Sequence, residues 1–186
     1  CPLSSRKRLS PNQRKKRASL QAMFRAGIIT VSDKGSQGLR QDLSGPAIAE
    51  MLAGSSIDVT KTVIVPDEVE AISSAIIALS DSDQLDLILT TGGTGVSPRD
   101  VTPDATLRVL DKEIPGFSEA MRFESRKITP HAMISRAVAG IRGRSLIINL
   151  PGSPKGAKEN LSVILPALRH AMEKIQGDPR DCATPV

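Results

Sequence analysis

The run Thr90-Thr91-Gly92-Gly93-Thr94-Gly95 follows the apolar residues Leu85-Asp86-Leu87-Ile88-Leu89 and leads into Ser97-Pro98-Arg99-Asp100-Val101-Thr102-Pro103-Asp104. Three glycines in four residues at the end of a buried strand let backbone N–H groups approach a phosphate, because no Cβ stands in the way. Neither common nucleotide fingerprint is present. The loop lacks the Gly-Lys-Ser/Thr ending of a P-loop, and Pro98 stands where the third glycine of a dinucleotide turn should be. A bare Gly-Gly pair is also an ordinary strand-to-helix turn. Here, however, Thr91, Thr94, Ser97, Arg99 and Asp100 crowd the same strand end, which is where open α/β sheets bind ligands.

A second loop of similar design, Asn149-Leu150-Pro151-Gly152-Ser153-Pro154, follows another apolar strand and opens another helix. Two further strand ends carry Ser32-Asp33 and Asp67. If the sheet is parallel, all four clusters gather at one edge, where two glycine loops suit two phosphate-bearing ligands or one with phosphates at each end. Carboxylates there would repel phosphate unless a cation stood between. Asp67 and Asp100 therefore argue for Mg²⁺, which takes a few carboxylate oxygens and completes its shell with water and phosphate. Each also has a plainer reading, Asp67 as a helix cap and Asp100 as a surface turn residue screened by Arg99. The chemistry is phosphoryl or nucleotidyl transfer, in which the enzyme mainly positions reactants and screens charge. A phosphate monoester is largely ionised near neutral pH because its second pKa is ~6, so no general base is required. The lack of histidine beside these loops agrees with that. His131 and His170 stand alone, which favours structural or surface roles, and no Ser-His-Asp set is visible.

Strands and helices must alternate to bring these loops together. Residues 27–32 read as a buried first strand, residues 59–65 as a second and residues 85–90 as a third. Ser44 reads as the cap of a helix with Ile48 and Leu52 inward, and Asp67 as the cap of another, with Glu70 at capping-box spacing and Val69, Ile72, Ile76 and Leu79 inside. Thr102 caps a third, with Pro103 at its first position. Residues 116–127 form a fourth, with Phe117, Ala120 and Met121 on one face. Residues 137–141 and 145–149 form strands joined by a turn at Arg142-Gly143-Arg144. The last helix keeps Ala157, Leu161, Ile164, Leu168, Met172 and Ile175 on one side, and Pro166 is expected to kink it where the Ser162 carbonyl loses its partner. The fold class is α/β, a three-layer αβα domain with a largely parallel central sheet.

Of 186 residues, 39% are hydrophobic, enough for one sizeable core. Three Phe and no Trp or Tyr leave few platforms for base stacking. The net charge of +5 belongs to the start of the chain: residues 1–25 carry eight of the 25 Lys/Arg and no acid, leaving 17 bases against 20 acids, a net −3, elsewhere. We expect residues 1–25 to be a basic disordered leader or tag, residues 26–178 the domain, and residues 179–186 a tail, with nucleic-acid binding by the leader disfavoured. The start at Cys1 rather than Met leads us to expect a piece of a longer product. Cys1 and Cys182 form no disulfide framework or metal spacing, which fits a reducing, cytoplasmic setting. No apolar run reaches the ~18 residues of a membrane span.

Several ordered motifs now agree with one family. Val31-Ser32-Asp33, Asp42-x-Ser44-Gly45, Val65-Pro66-Asp67-Glu68, the stretch over residues 87–104, Pro115-Gly116, Ile128-Thr129-Pro130, Met133-Ile134-Ser135-Arg136, Gly140-Ile141-Arg142-Gly143 and the stretch over residues 146–152 resemble the molybdopterin adenylyltransferases. The likeness is greatest to the G domains of the plant molybdenum-cofactor enzyme and of gephyrin, and runs from about residue 27 to 178. It implies a molybdopterin-binding-like fold and transfer of AMP from Mg-ATP to the terminal phosphate of molybdopterin, with release of pyrophosphate. It also implies a homotrimer. By the same resemblance Asp67 and Asp100 match functional aspartates that hold metal and ATP phosphates, and Ser135 matches a substrate-site serine. Gly92, Gly93, Thr94 and Gly95 match the phosphate loop, and Asn149, Pro151 and Gly152 the second ligand loop. Ser32, Asp33, Ser97, Arg99 and Arg136 complete the expected substrate-binding set, with the division between ATP and pterin left open. Ser153, Lys155 and Ile134 depart slightly from the pattern. The alternatives are a non-catalytic trimeric scaffold of the gephyrin type, a fragment of a molybdenum-insertion enzyme with a partner domain fused or in trans, and a general nucleotide-binding domain.

Overall fold

Apolar strands flanked by amphipathic helices bury both faces of a sheet only by sandwiching it, and that is the arrangement in the computed structural model, which describes residues 24–179. The elements run β1 (Phe24–Val31), a short α1 (Asp33–Ser36), α2 (Ser44–Leu52), β2 (Ile57–Val65), α3 (Val69–Ile77), β3 (Leu87–Thr91), α4 (Thr102–Leu107), β4 (Lys112–Glu113), α5 (Pro115–Arg126), β5 (Ala139–Arg142), β6 (Ser145–Leu150) and α6 (Pro154–Ile175). A wide π turn, Ala78–Ser82, extends α3, and a 3-10 turn, Pro130–Ile134, follows α5. The sheet order is β2-β1-β3-β6-β5-β4. β2, β1, β3 and β6 are parallel, while β5 runs antiparallel to both β6 and β4. The three-layer, largely parallel architecture expected from the sequence is therefore the one observed.

Alternation along the strands divides the core. Ile28, Leu87, Leu89 and Ile148 face α2, α5 and α6, whereas Ile29, Ile88 and Ile147 face α3 and α4. The inner stripe expected for the last helix, from Ala157 to Met172, is fully buried. α6 continues through Pro166; Pro166 and Ser162 both lie on its exposed face, where water can serve the carbonyl that proline leaves without a donor.

The start of the first strand and three helix caps differ from the sequence reading. β1 begins at Phe24, so Phe24 and Arg25 belong to the sheet rather than to the leader, whose remaining residues lie outside the described ones. The tail over residues 179–186 likewise lies outside them apart from Pro179. Ser44, Asp67 and Thr102 are not side-chain caps of their helices. The cap positions are Leu43, Glu68 and Val101, none of which makes a side-chain cap bond. Asp42 Oδ1 instead accepts from Ser44 N–H and Gly45 N–H, both at 3.0 Å. Glu70 closes no capping box and pairs with Arg108 at 2.6 Å. Among the described residues no helix is long and apolar enough to cross a membrane.

Candidate functional site

The parallel strands end together, so Ser32-Asp33, Asp67, the Gly92 loop and the Pro151 loop converge on one edge. Asp33 and Asp67, which follow β1 and β2, hold each other. Asp33 N–H donates to Asp67 Oδ2 at 2.8 Å, and Asp67 N–H donates to Asp33 Oδ1 at 3.0 Å. Arg99 reaches from the far arm of the glycine loop to grip Asp33, donating from Nε at 3.1 Å and from Nη2 at 2.7 and 2.8 Å. That hydrogen-bonded guanidinium, helped by Asp67 N–H, holds the Asp33 carboxyl below the usual carboxylate range. Asp67 goes the other way. Burial pushes its pKa up, the charges of Asp33 and Asp100 add to the rise, and Asp33 N–H and Arg99 oppose it.

The glycine loop needs its glycines. Gly92 and Gly93 have φ of 107° and 60°. A Cβ on Gly92 would run into the Val31 carbonyl, and one on Gly93 would lie 2.5 Å from Thr102 Oγ1 and 3.1 Å from Asp67 Oδ1. The loop's carbonyls are tied inward: Thr102 donates to Gly92 O from its hydroxyl at 2.8 Å and to Gly93 O from its N–H at 3.1 Å, and Arg136 N–H donates to Thr94 O at 2.8 Å. The N–H groups of Gly93, Thr94 and Gly95 have no protein acceptor among the described residues, so three donors remain for an anion. The second loop repeats the device. The hydroxyls of Thr91 and Ser44 take the carbonyls of Pro151 and Gly152, each at 2.7 Å, and the N–H groups of Gly152 and Ser153 have no protein acceptor among the described residues. The two loops touch, since a Cβ on Gly152 would lie 3.1 Å from Gly92 Cα.

Together they form a septum between two cavities. The first, about 380 Å³, is lined by Ser32, Asp42, Ser44, Asp67, Gly93 and Gly152 among others. The second, about 530 Å³, is lined by Thr94, Gly95, Arg122, Ile134, Ser135 and Lys155 among others. Ser153 borders both, and Pro151 belongs to the second.

Asp33, Ser97, Arg99, Asp100, Arg136 and Asn149 line neither cavity. Asp100 lies behind the loop, where its Oδ2 accepts from Ser97 N–H at 2.8 Å and would meet a Cβ on Gly95 at 2.9 Å. Arg136 donates to Asp100 O at 3.0 Å and pairs with Asp104 at 2.5 Å. Asn149 is fully buried, with its carboxamide bound to Thr90, Thr106 and Val138. It braces the strand beneath the second loop and does not face a ligand. Asp42 and Ser44, which floor the first cavity, and Arg122, in the wall of the second, went unassigned in the sequence reading. Asp42 lies in the Asp42-x-Ser44-Gly45 run, whereas one arginine on an amphipathic helix carries no local signal.

No set of three or more His, Cys, Asp or Glu among the described residues is grouped to hold a metal. A Mg²⁺ that keeps waters and phosphate oxygens needs only one or two carboxylates; the half-buried Asp67 offers one in the first cavity, whereas the Asp100 carboxylate is turned to Ser97 N–H behind the loop.

The family described as Probable molybdopterin binding domain matches residues 27–170. A molybdopterin adenylyltransferase of Helicobacter pylori is 45% identical over 154 residues, covering 82% of this chain and 88% of its own. A gephyrin of Dictyostelium discoideum is 46% identical over 164 residues, covering 83% of this chain but 23% of its own. The crystal structure of the molybdopterin biosynthesis enzyme MoaB from Thermus thermophilus superposes with a TM-score of 0.80 at 53% identity, over 86% of this chain and 100% of that one.

Proposed function

Because this chain belongs to the molybdopterin-binding domain family, with adenylyltransferase relatives matched over most of their length, we propose that it transfers AMP from Mg-ATP to the terminal phosphate of molybdopterin. The observation that carries the reading is the septum: two loops with free N–H donors stand between an acidic cavity and a cationic one. Two phosphate-bearing reactants bound on either side would meet across it.

On this reading the ATP phosphates lie in the first cavity against the N–H groups of Gly93 and Gly152. Asp67 would hold Mg²⁺, which when bound screens the charge between nucleophile and triphosphate, and Asp100 would join it by turning out from Ser97 N–H. Asp33, gripped by Arg99, fixes Asp67 through their paired N–H bonds, so the carboxylate needs no reorganisation when metal and nucleotide arrive. The acceptor occupies the second cavity, where the exposed Ile128 and Ile134 offer apolar surface to a pterin and Ser135 a hydroxyl. Its phosphate, already ionised, attacks the α-phosphorus of ATP; that P–O bond forms as the bond to pyrophosphate breaks, and no protein base is needed. The same reading places the protein in the cytoplasm as a homotrimer. A purely scaffolding role is less favoured, because it calls for neither the free N–H donors nor the oriented Asp67.

The test is mass spectrometry after incubating the protein with molybdopterin, ATP and Mg²⁺. Adenylylated molybdopterin is expected from the wild type, with turnover lower by roughly 10²-fold or more in Asp67→Asn. A folded wild type that binds both substrates and yields no product would refute the transferase.

A further inference from the structure

Arg122 is a half-buried cation with no counter-ion among the described residues. Its Nη1 donates to the carbonyls of Ala137 at 2.9 Å and Ser135 at 3.5 Å, and its Nη2 to Ser118 Oγ at 3.3 Å. These bonds go to neutral acceptors, and they fix the guanidinium in the wall of the second cavity. No carboxylate lies within 4.0 Å of it among the described residues, and its Nε–H has no protein acceptor there. The neighbouring arginines differ: Arg99 is spent on Asp33 and Arg136 on Asp104. Lys155 lines the same cavity but is largely exposed and faces Glu159 at 3.9 Å. A half-buried guanidinium that is pinned by neutral acceptors and has a free Nε–H is ready to take an anion.

The surrounding donors match one. Ser135 Oγ accepts from Ala137 N–H at 3.4 Å, which leaves its hydroxyl hydrogen free, and the unbonded N–H groups of Thr94 and Gly95 border the same cavity. We propose that Arg122 is a specificity residue that binds the phosphate monoester of the acceptor, so that the second cavity selects a phosphorylated acceptor over its dephosphorylated form. The identity of that acceptor rests on the adenylyl-transfer reading; the anion site does not.

The experiment has two arms. In the first, protein labelled with ¹⁵N-arginine is titrated with inorganic phosphate while the Nε–H resonances are followed; the Arg122 signal is the one missing from Arg122→Gln. It should shift with phosphate, and a signal that stays still to saturating phosphate overturns the proposal. In the second, pterin fluorescence reports binding of molybdopterin and of its dephosphorylated form. The wild type should prefer the phosphorylated form by roughly tenfold to a hundredfold, the scale of a hydrogen bond to a charged group. Arg122→Gln, which can still donate to the Ala137 carbonyl, should lose that preference while staying folded, with an unchanged KM for ATP. Arg122→Lys should recover part of it. Equal preference in wild type and a folded Arg122→Gln overturns the proposal. If the wild type binds neither pterin while the Arg122 resonance moves with phosphate, the anion site stands and the adenylyl-transfer reading fails.

Discussion

Two neighbouring aspartates at the strand ends should respond to pH in opposite directions. Asp67 has a raised pKa in the fold, so its ionised form is worse accommodated there than in the unfolded chain. Asp67→Asn should therefore raise the melting temperature at neutral pH. The gain should shrink as pH falls through the raised value and vanish below the ordinary carboxylate range. Asp33 has a lowered pKa, so its stabilisation is present above the ordinary range and is lost as pH falls through the depressed value. Asp33→Asn should lower the melting temperature at neutral pH and converge on wild type in acid. Melting curves of the three proteins from acid to neutral pH check this, and shifts of the same sign for both variants would contradict the assigned environments. The identities and strand-end positions of both residues were legible in the sequence. Their opposite environments were not, because each depends on a partner 34 or 66 residues away. Asn149 makes the same point, since a polar residue at a strand end reads as a ligand group until its burial against Thr90 and Thr106 is known.

At the scale of elements, Ser44, Asp67 and Thr102 look like helix caps, yet each sends its side chain across the site. Ser44 bonds the Gly152 carbonyl, Asp67 accepts from Asp33 N–H, and Thr102 bonds the Gly92 carbonyl. A side chain one or two positions from a helix start and at a strand's carboxyl edge can serve either end, and here the loop carbonyls win Ser44 and Thr102 while Asp33 N–H wins Asp67. The helices are legible because their apolar periodicity is a local property; the caps are not, because the competing partners lie 10 to 108 residues away. For α2 the capping work falls to Asp42, which also accepts from the Thr30 hydroxyl at 2.7 Å. Asp42→Ala should cost about 1–2 kcal/mol in urea unfolding, the scale of a lost cap. It should also loosen the first cavity, raising the KM for ATP. Unchanged stability would show that water replaces the carboxylate fully.

For the whole molecule, sheet topology decides that the two loops meet. β3 and β6 are adjacent and parallel, with Thr91 in register with Leu150, so the loops that follow leave the sheet side by side although about 60 residues separate them. Alternating strands and helices made the parallel sheet legible, but neither the adjacency of β3 and β6 nor the division of each loop between two cavities is written in either motif alone. The contact has a mechanical consequence. Gly92 is held at both ends of its peptide unit, its N–H donating to the Leu150 carbonyl at 3.2 Å and its own carbonyl taken by the Thr102 hydroxyl. A methyl on Gly152, 3.1 Å from Gly92 Cα, must push the septum apart by a few tenths of an ångström. Since each cavity has one wall in that septum, Gly152→Ala should raise the KM for both ATP and molybdopterin, each by roughly three- to tenfold, with stability lower by about 1 kcal/mol. Steady-state kinetics with each substrate varied in turn distinguishes this from a local effect: a KM change confined to one substrate would mean that the two cavities do not share a rigid wall.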